Sequence, residues 1–366
     1  VTDEDPDQSR ARSVRSPLER AEIASTASWL ASVQRDDGLI PWWPGGPADP
    51  WNHVEAAMAL DVARRHREAR AGYEHLFGRQ RRDGAVPADL VDVTGSRIDT
   101  NAVAYLAVGL FHHVISTGDL AYGARRFLGV ERAIEFVLAH ELADGAIAWE
   151  VDAHGRTSDR ALIAGSSSIV LSLRCAVALG QALGVDRPRW QAAARSLAAA
   201  VRGAGRAFFD NSHFAMDAYY PVIAGVVAGA AATAALADAR SRFATDDGVR
   251  CRSDRRWVTT AESAELAIAH ALVGDDDVAR VLLSTTGDKR RRSGGYLTGI
   301  VYPERTEFPP GEETTYSAAA VVLAADLLAG GRATAAVFDP FRTSARRLPT
   351  AQSGSSVNSP DAIASR

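Results

Sequence analysis

The chain has 366 residues, 46% of them hydrophobic, which is enough to bury one large core or two modest ones. Its formal net charge is only −4, with Arg and Asp/Glu interspersed, which excludes the basic stripe of a nucleic-acid surface. Its two cysteines, Cys175 and Cys251, fall in no CxxC or Cys/His cluster. They point to neither a structural zinc nor a disulfide framework, leave a single disulfide open, and fit a reducing, cytoplasmic setting.

In chain order, residues 1–17 are charged and lack the apolar stretch of a signal peptide, so they are expected to be disordered. From Leu18 a unit then recurs: an amphipathic helix, an Asp-Gly turn, an aromatic or apolar residue, a polar loop and an Ala-rich helix. The first copy runs from Trp29 to Gln34, then Asp37-Gly38, Trp42-Trp43, and Trp51-Asn52-His53-Val54-Glu55 opening the second helix. Gln80, Asp83-Gly84 and a helix opening near Asp99-Thr100-Asn101 make the second. The third has Glu141, Asp144-Gly145, Trp149 and a helix after Asp159; the degenerate fourth has Phe209-Asp210-Asn211 and Met216-Asp217-Ala218-Tyr219-Tyr220. The fifth has Asp247-Gly248, Trp257 and Thr260-Ala261-Glu262, and the sixth Gly294-Gly295-Tyr296 and Glu312-Glu313-Thr314-Thr315-Tyr316. The uncharged stretch from Tyr219 to Ala237 contains Pro221, Gly225 and Gly229 and reads as a buried helical hairpin, with no membrane span expected. Residues 331–366 read as a flexible tail, rich in Ser, Ala and Arg from Thr343 on.

A period of about 40 to 65 residues suits helical hairpins with variable loops. The first helix of each pair carries charge on one face, and the second is apolar nearly all round. Six pairs with the second helices enclosed therefore predict an all-α, (α/α)6 toroid over residues 18–330, with only short hairpins of β-structure in the loops.

These Gln-x-x-Asp-Gly turns resemble the repeats of the terpenoid cyclase and protein prenyltransferase toroids. The segments Gln34–Leu60 and Val249–Leu272 look like small bacterial toroid proteins labelled prenyltransferase for those repeats. The six-hairpin glycosidases share the architecture. The resemblance implies the fold and leaves the reaction open, because the isoprenoid hallmarks are missing. Asp275-Asp276-Asp277 lacks the Asp-x-Asp-Asp spacing, there is no Asp-Asp-x-x-Asp, and Cys251 with Asp254 lacks a His to complete a zinc site.

Such a fold gathers the N-termini of the inner helices around a central funnel. The residues expected there are carboxylates and aromatics. Asp217, Glu265 and Glu313 are the leading candidates for acid–base work, with Glu55 and Glu262 behind them. Trp51, His53, Asp99, Asn101, Tyr219, Tyr220, Tyr316, Trp43 and Trp257 are candidates for holding the substrate. Paired carboxylates split into acid and base, and aromatic faces stack on sugar rings, so the expected substrate is a saccharide or glycoconjugate, with no metal or cofactor. An isoprenoid transferase or cyclase and a non-catalytic ligand-binding toroid are the alternatives. For any single helix-start carboxylate the cap role competes with catalysis, and for His53 a structural hydrogen bond does.

Overall fold

The computed structural model describes residues 18–338. The expectations for residues 1–17, and for the tail beyond Phe338, lie outside the described residues. Two kinds of helix alternate. The outer ones are α1 (Arg20–Val33), α3 (His66–Arg79), α6 (Leu120–Leu138), α8 (Pro188–Gly203), α10 (Gly229–Phe243) and α12 (Asp276–Ser284). Each buries one stripe, as α1 does with Thr26, Ala27, Leu30 and Val33. The inner ones are α2 (Pro50–Val62), α4 (Thr100–Ala104) continued by α5 (Leu106–Thr117), α7 (Ile163–Ala182), α9 (Ala215–Ile223), α11 (Thr260–Leu272) and α13 (Thr315–Leu328). α2 is buried without a break from His53 to Asp61, and α13 from Ser317 to Ala325. α7 is apolar enough by composition to cross a membrane, but most of it is buried inside the protein.

The inner helices pack in an order that closes on itself: α2 on α5, α5 on α7, α7 on α9, α9 on α11, α11 on α13, and α13 back on α2. Main-chain hydrogen bonds between the loops that lead into these helices follow the same cycle. Thr100, Thr260 and Thr315 each open a helix and donate twice to the loop before a neighbouring inner helix. The Thr100 N–H and hydroxyl reach the Trp149 and Ala148 carbonyls (3.1 and 2.7 Å). Those of Thr260 reach Thr298 and Leu297 (3.0 and 2.5 Å), and those of Thr315 reach Trp42 and Pro41 (2.8 and 2.8 Å). Backbone bonds Leu90 to Ala48, Ala161 to Ala207 and Ala215 to Cys251 (2.8, 2.8 and 3.0 Å) complete the belt.

The Asp-Gly turns lead from the outer helices into these same loops and tie neighbouring outer helices together. Asp37, Asp83 and Asp144 each accept from the N–H two residues on, at 3.2, 3.1 and 3.2 Å. Gln34 and Gln80 each donate across their own turn and to the next outer helix. Gln80 Nε2 reaches Gly84 O at 3.1 Å and Gly129 O at 2.8 Å. The turn glycine needs positive φ and close approach together. At Gly84 φ is 98°, and a Cβ would lie 2.0 Å from the Arg132 carbonyl oxygen on α6. Gly294 repeats this against Ser25 on α1, joining the last turn to the first helix.

Three expectations change. First, the packed domain continues beyond Gly330 as α14 (Arg332–Phe338). α14 rests on α5 and α13 and is held by the Thr334 hydroxyl on Asp326 at 2.6 Å. Second, the Tyr219–Ala237 stretch is not buried throughout: α10 sinks only the stripe Ala232, Leu236, Ala239 and Phe243. Third, β-structure exceeds isolated hairpins. β1 (Ile98–Asp99) pairs with β2 (Glu150–Val151), and a five-stranded antiparallel meander follows: β3 (Ala244–Thr245), β4 (Gly248–Arg250), β5 (Trp257–Thr259), β6 (Gly299–Val301) and β7 (Thr306–Glu307). β5 runs directly into α11 and so fixes where that helix begins.

Replacing Gly84 with Ala should cost roughly 2–4 kcal/mol in chemical denaturation, because strain and a backbone clash add. Gly155→Ala, at φ 79° with nothing within 4 Å, should cost about 1 kcal/mol. Equal losses would contradict the packing role of the turn glycine.

Candidate active site

The belt brings the starts of α2, α9, α11 and α13 around one cleft of about 740 Å³. Asp49 is the N-cap of α2. It accepts from the Asn52 N–H at 3.0 Å, and Pro50 at the first helical position sets the entry. Trp42 Nε1 and Asn52 Nδ2 also donate to it, each at 2.6 Å. These donors favour the carboxylate, but burial outweighs them and pushes the Asp49 pKa up. Glu262 enters from the first turn of α11 and accepts the Thr259 hydroxyl. Trp51, Trp257, Tyr316 and Met216 supply the apolar walls. Trp257 is fixed by its indole N–H on the Phe308 carbonyl at 2.9 Å, and Tyr316 by edge contact with Trp42 at 5.4 Å.

Glu55 and Glu265 line the same cleft, Glu55 buried and Glu265 half-buried. Glu55 Oε1 accepts from Trp51 Nε1 at 2.7 Å and from the Tyr105 hydroxyl at 3.1 Å. Glu265 accepts the Tyr219 hydroxyl. Burial raises both carboxyl groups, Glu55 to about 7 and Glu265 well above its usual value, the latter also through repulsion from Glu55 and Glu262. Tyr219 and Tyr220 are fully buried under the cleft and so form its support, with Tyr220 edge-on to Trp51 at 5.3 Å.

A second cleft, of about 790 Å³, adjoins the first across the shared wall Asp49, Trp51 and Asn52. Asp99 lines it while capping α4 through the Ala102 N–H at 3.1 Å, and it pairs with Arg97 at 3.6 Å.

Several candidates sit elsewhere. Asp217 faces a separate crevice beside α10 and accepts the Ala164 N–H at 3.1 Å. It supplies for α7 the cap that Leu162 cannot provide. Glu313 accepts from Ser293 at 2.6 Å on the turn beside Trp29, away from the cleft. His53 is fully buried. Its Nδ1 accepts from the Ile40 N–H at 3.1 Å and its Nε2–H donates to Gly72 O at 2.9 Å; burial lowers its pKa to about 4, so it is a neutral strut. Trp43 lies against Gly46, and Asn101 is buried within α4. Both cysteines are free: Cys175 is buried in α7, and Cys251 lies beside Glu262. Asp49 is not among the residues expected from sequence: α2 opens at Pro50, one residue before the expected Trp51, and the Asp-Pro pair is the sequence signal for that cap.

No family model matches the chain. The MMP endo-(1,4)-3-O-methyl-α-D-mannosidase of Mycolicibacterium hassiacum is 38% identical over 306 residues, covering 83% of this chain and 85% of that protein. Among solved structures, a glycosidase in complex with glucose superposes with a TM-score of 0.66 at 16% identity, over 86% of this chain and 99% of that one. A sugar epimerase from a ruminal bacterium gives 0.64 at 12% identity, over 86% and 99%. These two share the fold. The comparisons lead to saccharide enzymes and lend no support to the isoprenoid alternative. At that identity and coverage, the chain belongs to the family of the M. hassiacum mannosidase and is a glycoside hydrolase-like enzyme.

Proposed function

We propose that the chain is an (α/α)6 toroid hydrolase that cleaves internal α-glycosidic bonds of an O-methylated mannose polymer, with Asp49 and Glu262 as the acid–base pair. The observation that carries this reading is the convergence of these two carboxyl groups, from the starts of α2 and α11, on one aromatic-walled cleft. Asp49, raised by burial, is the proton donor to the departing glycosidic oxygen. Glu262, held as an acceptor by the Thr259 hydroxyl, is the carboxylate that takes a proton from the attacking water. Glu55 and Glu265 take no part in this proton transfer. Internal cleavage is supported by the adjoining second cleft, which gives a polymer room on both sides of Trp51. The 3-O-methyl group named for the relative suits the apolar side of the wall, Met216, Ala261 and Trp257.

Asp49→Asn keeps a good N-cap, and Glu262→Gln keeps an acceptor for Thr259. Each should therefore fold normally and lose roughly 10²–10⁴-fold in turnover of a 3-O-methylmannose oligosaccharide. Retention of activity within a few-fold by either would remove that residue from the pair. Chromatography of the products should show shorter oligosaccharides before monosaccharide.

Asp217→Asn should leave turnover intact and change stability instead. Burial raises the Asp217 pKa from 3.8 to about 6, so the folded state favours the neutral form and loses stability as pH climbs through that window. The variant should thus gain melting temperature over wild type at pH 8 relative to pH 4. A difference independent of pH would contradict this assignment.

A further inference from the structure

Among the described residues that line the cleft there are four carboxylates and no Arg, Lys or His. Two of the four, Asp49 and Glu262, are engaged by the acid–base chemistry proposed above. The other two have no such task, yet Glu55 is buried and Glu265 half-buried, a placement that is costly for a carboxylate lacking a cation. What they do have is aromatic donors. Glu55 Oε1 takes both Trp51 Nε1 (2.7 Å) and Tyr105 Oη (3.1 Å), and Glu265 takes Tyr219 Oη. Trp51 in turn packs on Tyr105 at 5.1 Å and edge-on to Tyr220 at 5.3 Å.

We propose that Glu55 and Glu265 are a positioning pair: Glu55 holds Trp51, the wall common to both clefts, Glu265 holds Tyr219, which stacks through Tyr220 beneath it, and the two carboxyl groups set the upper pH at which that wall stays in place. The pair rests on the reading of the cleft as a saccharide site, but its device is independent of the reaction. The groups facing it are Asp49 on α2, Glu262 on α11, Tyr105 between α4 and α5, Tyr219 and Tyr220 on α9, Tyr316 on α13 and Cys251 after β4. None is a cation, so nothing but a proton can relieve the repulsion between the two carboxyl groups. When that proton leaves to solvent, two like charges remain in a low-dielectric floor, and separation of the pair releases Trp51.

Tryptophan fluorescence read from pH 5 to 9 tests this without a substrate. Wild type should show a step near the Glu55 value of about 7. The step should vanish in Trp51→Phe and in Glu55→Gln, and move in Glu265→Gln. If Glu55→Gln fails to fold, Tyr105→Phe removes one donor to the carboxylate and should shift the step upward. No step in wild type, or a step that persists in both Trp51→Phe and Glu55→Gln, overturns the proposal. An active Glu262→Gln protein would instead remove the reaction proposed for the cleft, leaving the fluorescence result to stand by itself.

Discussion

The belt of main-chain hydrogen bonds joining the inner-helix starts is the constraint on which the rest of the molecule depends. An inner helix that is apolar all round gains from burial in any orientation, so hydrophobic burial alone does not fix its height or rotation. Directional bonds do. Thr315 on the Pro41 carbonyl links residues 274 apart in sequence, and with its bond to Trp42 brings the last inner helix against the first. The same bonds satisfy backbone donors that would otherwise be orphaned at helix N-termini. Closure and site formation are therefore one event: Asp49 and Glu262 can meet across a cleft only when α13 has been placed between α2 and α11.

The floor of the site follows from what the belt leaves inside. Helix starts pointing inward favour acidic residues, and small Ala-rich inner helices admit aromatic side chains from several neighbours. The result is a cleft whose acidic groups are held by indole and phenol donors instead of cations. Desolvation and mutual repulsion raise the proton affinity of Glu55 and Glu265 against the pull of these donors, because no cation stands beside them to offset it.

The repeating architecture was legible because the first two turns carry the same requirement, a Gln that clamps, an Asp that caps and a Gly that touches the next outer helix, and the later turns keep parts of it. The saccharide class was legible from carboxylates and aromatics concentrated at helix starts. The individual site residues were less so. Asp217, Glu262 and Asp49 all stand at or near helix starts, and sequence gives no sign of which way each looks. Asp217 turns toward the N-terminus of α7, whose own first residues cannot cap, and Asp49 both caps and lines the cleft. His53 drew notice through its neighbours Trp51 and Glu55, but it lies on the face of α2 opposite the cleft, toward Gly72 of α3. α14 was hidden because its short Ala-rich sequence has no periodic pattern of its own; only its contact with α5 and α13 makes it a helix worth burying.

A crystal structure of the Glu262→Gln protein with a bound 3-O-methylmannose oligosaccharide is the most direct test of the central claim. The account predicts a glycosidic oxygen within hydrogen-bond reach of Asp49, sugar faces on Trp51 and Trp257, and the chain continuing into the adjoining cleft beside Asp99. A saccharide bound instead in the crevice at Asp217, with the cleft between α2 and α11 empty, would contradict it.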